Sequence, residues 1–248
     1  MDSEFDFERR YRVVQEIIET LVLTIVMFLI IRLAFQNTIV DGTSMEPNLH
    51  NQEWMMVDKW SYLLRAPARG DVVVFVAPPE PTENFVKRIV GLPGDVITVR
   101  GTTVIVNGKR LNDAFVDPHL QGNQFASFTN LVVPPDAYFV LGDNRSISFD
   151  SRAWGCVPRA NLIGPAVLVY WPLGKDNDGL IPSLAADFAN IPRPPATNSK
   201  NICHISRGPG DNFALAASKS GMGVIDANAV LVLLMPGVFG VCNSCLKH

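Results

Sequence analysis

From Ile17 to Phe35 the chain is mostly apolar, and within LVLTIVMFLII (21–31) Thr24 is the one polar interruption. As a helix this stretch rises about 28 Å at about 1.5 Å per residue, close to the thickness of a hydrocarbon core. Glu19 and Arg32 lie near its two ends, where a charged head can reach the membrane interface. Three readings are open: a membrane anchor, a cleaved leader and a buried soluble helix. Arg32 closes the run, no Ala-x-Ala-like site follows it, and a long stretch precedes it, all of which favours the anchor. Arg9, Arg10 and Arg12 stand before the run, and after Arg32 the next cation is Lys59. The positive-inside bias therefore leaves residues 1–16 in the cytoplasm and everything after residue 36 outside. The expectation is a single-pass protein of the plasma membrane, with residues 17–35 in the lipid bilayer.

A net charge of -3 and a pI near 5.8 give no electrostatic reason to expect a nucleic-acid partner. The cysteines, Cys156, Cys203, Cys242 and Cys245, are unevenly spread and suggest no disulfide framework. Cys242 and Cys245 lack a second ligand pair that would complete a zinc site. The redox compartment is not legible from them.

Residues 36–174 read as mainly β. The runs EWMMVDKW (53–60), DVVVFVA (71–77), FVKRIVG (85–91), YFVLGD (138–143) and AVLVYWPL (166–173) are short and rich in Val, Met and aromatics. DVITVRGTTVIVNGKRL (95–111) holds two β-runs parted at Arg100-Gly101, then Asn107-Gly108, a strong hairpin pair. Bent antiparallel sheets are the expected fold. Residues 175–248 change character: NIPRPPATNSKN (190–201) has linker composition, and AVLVLLMPGVFGVC (229–242) is apolar but short for a span and broken by Pro236. This appendage suggests no role.

Ser44, in GTSMEP (42–47), lies just beyond the apolar run with no histidine beside it. None of the four histidines sits in a nucleophile–base motif, and G-x-S-x-G, H-E-x-x-H and Gly-rich phosphate loops are absent. The only S-x-x-K is Ser244 to Lys247, at the end of the sequence. His50 stays open as a base, because triads assemble from distant positions. In NFVKRIVGLPGD (84–95) strand alternation puts Phe85, Lys87 and Ile89 on one face and Val86, Arg88 and Val90 on the other. An inward-facing Lys87 would be desolvated and its pKa lowered, freeing the amine as a base; snorkelling from a strand edge is the alternative. GDNRSISFDSR (142–152) offers Asp143, Arg145, Asp150 and Arg152 for ion pairs, and two hydroxyls, Ser148 and Ser151, that could hold an amine.

Together and in this order, the anchor, GTSMEP, RGDVVVF (69–75), FVKRIVGLPGD and GDNRSISFDSR resemble the motif set of the bacterial type I signal peptidases. The resemblance covers residues 15–173 and leaves the last 75 outside. It implies a membrane-bound serine endopeptidase that removes signal peptides from secretory preproteins after small-residue, Ala-x-Ala-like sites, with no cofactor and no metal. It also implies that Ser44 is the nucleophile, Lys87 the general base and Ser148 the serine that orients the amine. Asp143, Arg145, Asp150 and Arg152 match residues that hold the site together. Met45 matches a methionine beside the nucleophile, near the face that meets the membrane. Gly42 stands where some members carry an oxyanion-stabilising serine, so the oxyanion hole would rest on the Ser44 backbone N–H and another backbone donor. Two rivals remain: a self-cleaving repressor-type Ser-Lys protease, which would need a DNA-binding domain, and a bitopic membrane protein whose β-domain binds or assembles without catalysis.

Overall fold

The computed structural model describes residues 2–125, 127–172, 179–181, 184–194, 200–206 and 224–226. Helix α1 (Asp2–Ala34) takes in the expected anchor and most of the N-terminus before it, since no glycine or proline interrupts residues 1–41. Within its 24-residue stretch Tyr11–Ala34, an 18-residue window reaches a mean hydropathy of 2.4. Leu23 and Leu33 are among the apolar side chains it leaves exposed. The helix is long and apolar enough to cross a membrane. Phe35, expected to end the helix, instead opens β1 (Phe35–Val40).

The remaining strands are β2 (Trp54–Asp58), β3 (Val72–Val76), β4 (Asn84–Gly91), β5 (Val96–Arg100), β6 (Thr103–Val106), β7 (Lys109–Arg110), β8 (Phe128–Val132), β9 (Ala137–Leu141), β10 (Val157–Pro158), β11 (Leu162–Trp171), β12 (Gly179–Leu180) and β13 (Val224–Asp226). Short helices α2 (Ser61–Leu64), α3 (Ser151–Trp154) and α4 (Ala185–Phe188) interrupt them. The strand pairs are antiparallel. The fold is mainly β, as expected.

In the larger sheet β4, β13, β1, β2, β11 and β3 pair in sequence, and β3 returns to β4, so the six strands close a ring. Val40, Met55, Val57, Val72, Val74, Val86 and Val169 form one buried cluster with Met45 and Leu49. The period-2 alternation of the strands sends these residues to one side. Phe75, Phe85, Ile89, Val140 and Trp154 form a second cluster with Val73. The smaller sheet runs β7-β6-β5-β8. Its Asn107-Gly108 turn has positive φ at both residues (52° and 81°), as a two-residue hairpin turn requires.

The stretch 179–206 contributes to the body of the fold. β12 pairs with β11, and Phe188 and Cys203 are buried with Ile97, Val106 and Phe139. Cys156 and Cys203 form a disulfide across 47 residues, with Cα atoms 5.9 Å apart. This corrects the expectation that the cysteines make no framework. The spacing carried no signal because the approach depends on residues 201–206 returning to the body, where Ile202 bridges Val132 and Ile205 bridges Gly155. The apolar run 229–242, the cysteines Cys242 and Cys245, and the Ser244–Lys247 pair lie outside the described residues.

Candidate active site

The turn after β1 carries Ser44, and the middle of β4 carries Lys87. Lys87 Nζ lies 2.6 Å from Ser44 Oγ, in a hydrogen bond spanning 43 residues of sequence. Lys87 is 1% and Ser44 4% exposed, so the pair is dry. Val73 stands opposite Lys87 across the β3–β4 ladder, and the Phe85 ring is 5.5 Å from its ammonium. The inward face expected for Lys87 is therefore the one found, and snorkelling is excluded. Burial drives the lysine pKa down from 10.5 to about 8; Asp150 and Asp143 pull it up, and Arg152 pushes it down further. Lys87 makes no ion pair among the described residues. Near neutral pH such a lysine yields free amine far more readily than an exposed one.

Gly42 has φ of 106°, a conformation that glycine adopts without strain and other residues resist. Its N–H donates to Asn51 Oδ1, so this amide is committed to shaping the turn. Met45 is fully buried with Val40, Leu49 and Val86. Its side chain is thus a core residue directly beside the nucleophile in sequence.

The acidic and basic residues of 142–152 resolve into separate pairs. Asp143 accepts from Arg88 Nε at 2.8 Å and from Arg88 Nη2 at 2.6 Å. Asp150 accepts from Arg152 Nε at 2.9 Å and Nη2 at 2.8 Å. Arg145 donates to Gly142 O and to Asp113 Oδ1. Burial alone would raise Asp150, but Arg152, the Gly142 N–H and Ser148 together hold it below its ordinary value. Burial raises Asp113 despite Arg145.

Ser148 Oγ lies where a Cβ on Gly142 would clash with it, next to the place where the same Cβ would meet the Ser44 carbonyl. Its hydroxyl is buried beside Asp150 and helps to hold that carboxyl down. The structure thus brings Ser148 to the site without a bond to Lys87. Ser151 Oγ accepts from Val140 N–H, so its hydroxyl is occupied in bracing β9.

Sequence reasoning missed the support that Arg88, Asn48 and Asn144 give. Arg88 ties Asp143 to Gly70 O as well, Asn48 Nδ2 donates to Asp143 Oδ2, and Asn144 N–H donates to Ser44 O. Only the alternation of β4, which sends Lys87 and Arg88 to opposite faces, could have pointed to one of them. His50 offers its backbone N–H to Glu53 Oε2.

The signal peptidase family, peptidase S26, matches residues 14–171. Signal peptidase I of Leptolyngbya laminosa is 37% identical over 166 residues, 64% of this chain and 80% of that protein. Signal peptidase I P of Bacillus subtilis subsp. natto is 37% identical over 180 residues, 69% of this chain and 97% of that one. Thylakoidal processing peptidase 1, chloroplastic, of Arabidopsis thaliana is 37% identical over 149 residues, 56% and 43% of the two chains.

Proposed function

Because the chain belongs to the signal peptidase family, peptidase S26, and is a serine endopeptidase of that family, we propose that it removes signal peptides from secretory preproteins with Ser44 as nucleophile and Lys87 as general base. The observation that carries this reading is the 2.6 Å contact between the serine and a buried lysine whose pKa is lowered to about 8. The neutral amine takes the Ser44 proton as Oγ attacks the scissile carbonyl, and the resulting ammonium returns it to the departing amine. Water, with Lys87 again as base, then frees the acyl group from Ser44. Backbone N–H groups, that of Ser44 among them, receive the oxyanion. Ser148, beside Gly142 and Asp150, orients the amine once substrate fills the cleft.

Cleavage after small-residue, Ala-x-Ala-like sites suits a serine at bilayer height, since a signal peptide is cut just beyond its apolar region. The ten residues from Ala34 to Ser44 keep the nucleophile close to the end of α1. An extracytoplasmic domain is supported by Arg9, Arg10 and Arg12 before the span. The Cys156–Cys203 disulfide persists best in an oxidising compartment. We place the domain outside the plasma membrane, with the N-terminus in the cytoplasm.

The test is cleavage of a purified preprotein by the full chain in detergent, beside Ser44→Ala, with sequencing of the new N-terminus. Cleavage after a small-x-small site that disappears in the variant is expected. Equal processing by Ser44→Ala would remove the serine from the mechanism. Absence of processing by the unaltered chain would leave the β-domain to a non-catalytic role.

A further inference from the structure

β1 and β4 each lead to one half of the dyad, and they do not pair with each other. Val40, at the end of β1, lies four residues before Ser44, and Asn84, at the start of β4, lies three before Lys87. Val224 sits between them, opposite Val40 on one side and Asn84 on the other. The strand that closes the ring is therefore β13, drawn from a part of the chain outside the matched family region.

Direction matters here. β1 follows α1 and runs from the membrane end toward Ser44. A substrate whose apolar segment stays in the same bilayer, with its scissile bond beyond that segment, must travel the same way to reach the serine. It would run parallel to β1. β13 runs the opposite way: Val224 lies level with Val40, and Asp226 lies level with Thr38, farther from Ser44. A reversed strand can use the exposed backbone groups of both neighbours without presenting a peptide bond in the direction that substrate does.

The tail is also held close. Cys203 is bonded to Cys156, and Cys203 N–H donates to Val132 O, only 21 residues before Val224.

We propose that residues 224–226 are a self-docked, reversed strand that occupies the substrate groove between β1 and β4 and competes with preprotein. This rests on the endopeptidase reading above. Substrate displaces the strand and then pairs with β1 and β4 in its place. A groove occupied nine-tenths of the time raises the apparent KM about tenfold and leaves kcat unaltered.

The experiment compares the full chain with Ile225→Pro, in detergent, on the same preprotein. Proline removes a backbone donor and resists a strand paired on both sides. KM should fall about tenfold, with kcat within about twofold of the unaltered chain. Hydrogen exchange should quicken at the β1 amides that face β13, and added substrate peptide should restore their protection. Should Ile225→Pro not fold, Ile225→Gly carries the same test with a smaller shift in the same direction. An unchanged KM together with unchanged exchange in β1 would overturn the self-docked strand while leaving the endopeptidase intact. A Ser44-dependent cut after Ala229, seen as a shortened intact mass, would also overturn it, because the tail would then be a forward-bound substrate. Failure of both proteins to cut anything would remove the endopeptidase reading and this proposal with it.

Discussion

Two buried cations sit one residue apart on β4 and face opposite sides of it. On the dyad side Lys87 has Ser44 as its partner, and burial lowers its pKa to about 8. On the other side Arg88 is held by both oxygens of Asp143 and by the Gly70 carbonyl. The strand gives both side chains the same degree of burial, 1% and 2% exposed. What differs is the company. A base must be desolvated and left without a carboxylate of its own, since an ion pair would fix its proton. A scaffold cation must be paired, since an unpaired buried charge weakens the fold. Asp143 and Asp150 lie near enough to pull the Lys87 pKa upward, yet each is engaged by an arginine. The ion pairs thus keep both carboxylates engaged elsewhere than on Lys87.

The largest expected effect comes from making the two positions alike. Lys87→Arg keeps the charge and the strand, but guanidinium does not give up its proton in the working range. Loss of a general base is typically worth about 10²–10⁴-fold in kcat/KM. The unaltered chain should gain kcat/KM as pH rises toward and through about 8, where the amine becomes neutral. Rates on preprotein across pH 6–9.5, with circular dichroism to show that the variant is folded, check both statements. A folded Lys87→Arg chain cutting at the normal rate would break the distinction at its root.

The second effect is on the paired side and concerns stability. Arg88→Met leaves Asp143 buried with Asn48 as its remaining side-chain donor. Removing one partner of a buried ion pair costs about 3–5 kcal/mol. Denaturant unfolding should show a loss of that order. The double variant Arg88→Met/Asp143→Leu should recover much of it, because no orphan charge is left. Were Arg88→Met neutral, the pairing would contribute nothing that the lysine side lacks.

How much of this contrast could be seen in the sequence follows from the range of each interaction. The long apolar helix was legible because nineteen mostly apolar residues run without glycine or proline, and Asn107-Gly108 because two adjacent residues fix a turn. The face of Lys87 was legible from alternation within a single strand. The partners of Arg88, Arg145 and Cys156 were not, because Asp143, Asp113 and Cys203 reach them only through sheet closure. The motif residues of 142–152 offered ions without saying which would meet. β13 was the least visible element: three residues in a segment of no recognisable pattern acquire a partner on each side from β1 and β4. The early start of α1 is a milder case, where a polar N-terminal stretch simply contains nothing to stop a helix.

The smallest effect is the most specific to the comparison. A lysine that titrates near 8 in the folded chain and near 10.5 when unfolded weakens the fold at neutral pH. The unfolded chain binds the extra proton between those two values, so stability rises with pH across that window. Below about pH 8 the whole penalty is present, at most about 3 kcal/mol. Lys87→Met removes it, because methionine fills similar space without a charge, and Asp143 and Asp150 keep their arginines. The Lys87→Met chain should therefore be more stable than the unaltered chain at pH 7, by about 1–3 kcal/mol. That advantage should shrink by about half at pH 9.5, where the lysine is neutral in the folded state and only partly so in the unfolded one. Arg88→Met should show no such gain at either pH. Paired denaturant curves at pH 7 and 9.5 read the difference directly, since other titrating groups are shared by both chains. A Lys87→Met chain less stable than the original at both pH values would mean that Lys87 is a satisfied cation like Arg88, and the two sides of β4 would no longer differ in kind.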